Sequence, residues 1–174
     1  MGLYQKKPYL KEIREEDGRL IYTGDVFRIL RKDGKPGAGR LLAAGVLPAA
    51  AFVILSGCLD TAGAADAFYV ILPYIGEVCA LFALIWNALK LTMEKGHVRA
   101  FVRDAVQGRI PGAAKLLALF AAAGCVMSAV YLFRNGLGEN AVKSIAYPAL
   151  KGMTFVMALN YDKLFRSVIW EKEN

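Results

Sequence analysis

The sequence predicts an all-α membrane protein: a four-helix transmembrane bundle, N-in/C-in, with short amphipathic cytoplasmic helices. Three observations carry that expectation. The chain of 174 residues is 56% hydrophobic, more than a soluble domain usually holds. The excess falls into four blocks, about 41–59, 67–89, 113–133 and 144–161. Each is close to the ~20 residues that a helix needs to cross ~30 Å of hydrocarbon. The charges, finally, alternate between the two sides of those blocks.

Of the 22 Lys and Arg residues, ten precede the first block and three, Lys163, Arg166 and Lys172, follow the fourth. Six more, Lys90, Lys95, Arg99, Arg103, Arg109 and Lys115, surround the connection between the second and third. The other two connections hold only Arg134 and Lys143, beside Asp60, Asp66 and Glu139. The positive-inside rule then places both termini and the middle connection in the cytoplasm, as expected for a protein of the plasma (inner) membrane. The net charge of +7 adds attraction to anionic headgroups at that face. These basic residues flank spans, so lipid and not nucleic acid is the expected counterpart.

Residues 1–40 form a basic cytoplasmic arm, polar enough that the first block reads as an uncleaved span. The first 19 residues have few apolar anchors and read as a mobile or surface-lying tail. Asp25 is placed to cap a short in-plane helix with Val26, Phe27, Ile29 and Leu30 on one side; a hairpin across Gly24-Asp25 is the competing reading. The Asp33-Gly-Lys-Pro-Gly stretch then lets the chain turn into the bilayer.

The first span places Gly45 and Ala49 at i, i+4, a spacing that admits another helix closely, with Pro48 between them as a kink. Two short outer turns, 60–66 and 134–140, would close two helical hairpins. Between the hairpins, Val98, Phe101, Val102, Ala105 and Val106 recur at helical spacing, predicting an amphipathic cytoplasmic helix over about 95–107 that stops at Gly108 and Pro111. It reads as a headgroup-level anchor or as a docking helix, with Arg99, Phe101 and Arg103 as the docking candidates. The third span is rich in small residues, among them Gly124 and Ser128 at i, i+4, and should pack centrally.

The fourth span is the least apolar. Ser144, Tyr147, Lys151, Thr154, Ala158 and Tyr161 step by three or four and share one face, which in a membrane helix turns to a bundle interior or a wet cavity. The cytoplasmic tail, 162–174, could extend this helix along the inner surface, with Trp170 at the interface. A faint repeat relates the two halves: Arg40-Leu-Leu-Ala43 matches Lys115-Leu-Leu-Ala118, and Pro73 matches Pro148.

The chemistry centres on Glu77. A carboxylate in the middle of the second span is unfavourable by a few kcal/mol unless something answers it. Counted from the outer ends of their spans, Glu77 and Lys151 lie at ~15 Å and ~13 Å depth, level near the midplane. Tyr74 and Tyr147 stand one turn outward of them. A buried ion pair flanked by Tyr74, Tyr147 and Thr154 is therefore expected, serving either to fix the helices or to line a substrate or ion path.

No nucleotide-binding, metalloprotease or nucleophile-elbow motif occurs, and Cys58, Cys79, Cys125 and His97 do not form ligand spacings. No cofactor, metal or catalytic residue is expected, and the balance leans away from an enzyme. The expected class is a transporter-type or transporter-accessory subunit, working as a homo-oligomer or beside a membrane or cytoplasmic partner. A non-transporting scaffold that docks cytoplasmic partners through its arm and loop helix is the alternative.

Overall fold

The protein is described here from a computed structural model covering residues 13–16, 19–22, 24–59, 67–94, 97–136 and 141–173. In chain order the elements are β1 (Ile13–Glu16), β2 (Arg19–Tyr22), β3 (Val26–Leu30), α1 (Ala38–Cys58), α2 (Phe68–Met93), β4 (His97–Arg99), α3 (Ala100–Asn135), α4 (Ala141–Arg166) and β5 (Ile169–Glu173). Most of the chain is helical.

Three helices, α1, α2 and α3, are long and apolar enough to cross a membrane. Only about a third or less of each apolar window is buried inside the molecule. Phe133 is 93% exposed, Met93 79% and Phe68 71%, a display of apolar side chains that water does not tolerate but lipid does. The chain is an integral membrane protein. α4 is as long as α2 but carries Lys143, Lys151, Asp162, Lys163 and Arg166, which keeps its composition outside the apolar set.

The helices form a ring in which α1 packs on α2 and α4, and α3 packs on α2 and α4. α2 and α4 therefore face each other across a diagonal. Close approaches depend on missing side chains. A Cβ on Gly45 would lie 3.1 Å from Leu164 Cδ2 and 3.3 Å from Tyr161 Cδ2, so α1 and α4 meet there. On Gly76 it would lie 2.5 Å from Phe120 Cδ1, so α2 receives the α3 ring at that point. Each helix also contains one proline, Pro48, Pro73, Pro111 and Pro148.

Five strands correct the all-α expectation. β1 and β2 pair antiparallel, Ile13 opposite Tyr22 and Glu16 opposite Arg19, in a stretch read as a tail. β3 replaces the in-plane helix: Phe27 and Ile29 are buried while Arg28 between them is exposed, an alternation of period two. The Gly24-Asp25 hairpin is not formed either, because β3 lies between β4 and β5 and does not pair with β2. The register sets Phe27 opposite Val98 on one side and Lys172 on the other. Val and Ile suit a pleated, half-buried surface better than a helix. The two strands that complete the sheet come from distant parts of the chain.

The middle connection differs as well. In place of a separate helix over 95–107, β4 is followed at once by α3, which runs unbroken for 36 residues, ~54 Å at 1.5 Å per residue. Gly108 and Pro111 do not stop it. Val106, Ile110, Ala113, Ala114 and Leu117 form one buried stripe across both, and that packing outweighs the hydrogen bond lost at the proline. The C-terminal tail continues as helix only to Arg166 and then becomes β5, with Trp170 edge-on to Phe165 at 6.5 Å between centroids.

The sheet unites one end of the bundle. β3 leads into α1, β4 joins α2 to α3, and β5 follows α4. The arm, the middle connection and the tail are thus on the same side of the bundle, with the helices running alternately up and down. Ile29 and Val98 enter the same apolar core as Leu42, Leu91, Ile110 and Leu117. The tail's first twelve residues and the outer turns at 60–66 and 137–140 lie outside the described residues.

Candidate functional site

Glu77 lies midway along α2 and Lys151 midway along α4. α2 turns Val70, Pro73, Glu77, Ala80, Leu81 and Leu84 inward, a stripe at helical spacing that carries the carboxylate with it. The buried residues of α4 are Tyr147, Lys151, Thr154, Ala158, Tyr161 and Phe165, so the lysine is turned inward by the same geometry. Lys151 Nζ donates to Glu77 Oε2 at 2.5 Å, and both side chains are fully buried. The two residues are 74 positions apart in the chain and meet across the bundle's diagonal.

Two aromatic rings complete the surroundings of the ammonium. Lys151 Nζ lies 4.4 Å from the ring centroid of Tyr74 and 5.0 Å from that of Tyr147. Both distances are within reach of a cation–π attraction, which strengthens when water is excluded. Tyr74 is held in turn by α1: its hydroxyl packs directly on the Gly57 backbone, where any Cβ would collide with it.

The carboxylate is less fully served. Glu77 Oε1 is buried and has no hydrogen-bond partner among the described residues. Gly124 of α3 faces it, and a Cβ there would come within 3.3 Å of that oxygen and 3.5 Å of Lys151 Cδ. Gly124 and Ser128 are both buried, so the small face of α3 packs against the charged pair. The Ser128 hydroxyl is engaged by the Cys125 carbonyl of its own helix.

Thr154 is buried one turn inward of Lys151, but its hydroxyl donates to the Leu150 carbonyl at 3.0 Å, leaving the pair without it. Outward of the pair, Tyr147 packs with Val70, Leu59, Ala67 and Tyr131. This cluster separates the charges from the end of the bundle opposite the sheet.

The docking candidates sit elsewhere, at the sheet end. Arg99 closes β4 and pairs with Glu94 at 3.8 Å. Phe101 is half-buried in the first turn of α3. Arg103 stacks its guanidinium 3.8 Å over the Phe27 ring and bonds Asp104 at 2.8 Å. Arg103 thus links α3 to β3. Position 27 escaped the sequence reading as a site because its partner is brought to it only by the sheet.

Cys58 and Cys79 are exposed on the helical surface and Cys125 is half-buried; all three are free thiols. Among the described residues no three His, Cys, Asp or Glu side chains converge to hold a metal. Comparison with protein-family models, with curated proteins and with solved structures finds no match to this chain.

Proposed function

We propose that the chain is a small transporter-type or transporter-accessory subunit of the plasma (inner) membrane, a four-span bundle with N-in/C-in topology that works as an oligomer or beside a partner subunit. One observation carries the reading: a charge pair closed off from water on the bundle diagonal, with one carboxylate oxygen left without a hydrogen-bond partner among the described residues. Apolar residues of similar volume often stabilise a fold as well as a buried ion pair does, so stability alone is a weak reason for such a pair. A carboxylate with a spare acceptor, beside a lysine held by two rings, can exchange its partner for a proton or a cationic ligand.

α4 belongs to the membrane in this reading although its composition is not apolar enough by itself. Its charged mid-helix residue is answered by α2, and its remaining buried face meets α1 and α3. The test is a proton-flux measurement on purified protein in liposomes carrying an internal pH-sensitive dye. The wild type is expected to dissipate an imposed gradient, and Glu77→Gln, inserted to the same level, to hold it. Equal rates for both proteins would defeat the reading.

A second reading, a non-transporting scaffold that docks cytoplasmic partners, is favoured by the β4–β3–β5 sheet. That sheet joins the arm, the middle connection and the tail into one surface at one end of the bundle. Deleting residues 1–24 separates the two readings. Loss of partner co-purification with intact insertion supports docking; unchanged co-purification together with sensitivity to Glu77→Gln supports the path.

A further inference from the structure

A cavity of about 520 Å³ lies at the junction of sheet and bundle, lined by Arg28, Ile29, Pro36, Gly37, Gly39, Arg40, Leu91, Thr92 and His97. Its walls come from β3, the entry to α1, the end of α2 and the start of β4. It is amphipathic: Ile29 and Leu91 are buried core residues, whereas Arg28 and Arg40 are exposed. Neither arginine forms an ion pair among the described residues, while the nearby imidazole of His97 is already engaged by Glu173 at 2.7 Å. The first turn of α1 contains no acidic residue to answer them.

We infer that this cavity is a binding site for the headgroup phosphate of an anionic phospholipid. Two guanidiniums with no ion-pair partner among the described residues present planar donor sets suited to a phosphate. Basic pockets beside spanning helices are where anionic headgroups are held. The cavity opens where α1 enters and α2 leaves the apolar region. On the helices that border the cavity, Leu47 of α1 and Leu89 and Met93 of α2 are exposed, and they offer the acyl chains an apolar track. A free phosphate would have no use for that track. Among the described residues, Glu173 is the acidic side chain bonded to a lining residue, and its carboxylate is turned to His97. This inference rests on α1 and α2 crossing the membrane and is independent of any transport activity.

The test is native mass spectrometry of the full chain released from vesicles of phosphatidylglycerol and phosphatidylcholine in equal parts. A discrete phosphatidylglycerol adduct is expected on the wild type, with little phosphatidylcholine. In Arg28→Gln/Arg40→Gln its occupancy should fall by at least about tenfold, two headgroup contacts being lost. Arg109→Gln/Lys163→Gln removes the same charge from exposed positions outside the cavity and should leave the adduct intact. Thr92→Trp fills the cavity while keeping both arginines and should also remove the adduct, which decides the matter if the double variant does not fold. Adding inorganic phosphate should not displace the lipid. An adduct unchanged in both cavity variants, lost equally in the control, or displaced by phosphate would overturn the site.

Discussion

Gly124 faces Glu77 Oε1, which has no hydrogen-bond partner among the described residues, so near that a Cβ there would stand 3.3 Å from it. The glycine is what allows α3 to close over the charge pair. Gly124→Val should force α3 away and lower the melting temperature by an amount corresponding to ~1–3 kcal/mol, the usual range for overpacking. Gly124→Ser should be the best tolerated substitution, because a hydroxyl at this place can donate to the carboxylate. Thermal melts of the variants in one detergent check the order Ser, Ala, Val.

The pair itself should behave as a unit. Removing one partner, as in Lys151→Met, leaves a buried charge and is expected to destabilise the bundle by ~3–5 kcal/mol. Glu77→Leu/Lys151→Met together should recover most of that loss. A double-mutant cycle in melting temperature reads the difference, and a strictly additive cycle would show that the two side chains are not coupled.

Gly57 controls the same centre from α1. Gly57→Ala places a methyl where the Tyr74 hydroxyl packs, so the ring must leave its position beside Lys151. The expected loss is at least ~1 kcal/mol. Gly57→Ala/Tyr74→Phe, which removes the colliding oxygen, should regain part of it. Failure of the second change to rescue the first would place the effect elsewhere in α1.

At the sheet end, Phe27 is buried beneath the Arg103 guanidinium. Phe27→Ala should cost about 3 kcal/mol or more, as for other buried aromatics. Arg103→Gln should cost only about 0.5–1 kcal/mol, the range of a partly exposed cation–π contact. Hydrogen exchange at the β3 and β4 amides checks both, with protection expected to fall far more in the first variant.

The His97–Glu173 contact, although short at 2.7 Å, lies between side chains that are 59% and 42% exposed. Such pairs contribute about 0–1 kcal/mol. Glu173→Gln should leave the melting temperature nearly unchanged, and a drop comparable to that of Phe27→Ala would show that β5 is held by this contact and not by its strand pairing.

The sequence by itself marked the four apolar helical blocks, because apolar runs and the spacing of residues such as Tyr147, Lys151 and Thr154 are local signals written in a period of 3.6. It also placed Glu77 and Lys151 at one depth, since rise per residue is fixed. Only the tertiary structure decided the rest. Val26–Leu30 became a strand because β4 and β5, remote in sequence, supplied its hydrogen bonds, and no local pattern announces such partners. α3 passed through Gly108 and Pro111 because a continuous buried stripe compensated one missing backbone bond. Helices are built from neighbours in the chain and can be read there; sheets and close contacts such as Gly57 with Tyr74 are built from neighbours in space, which the chain reveals only when folded.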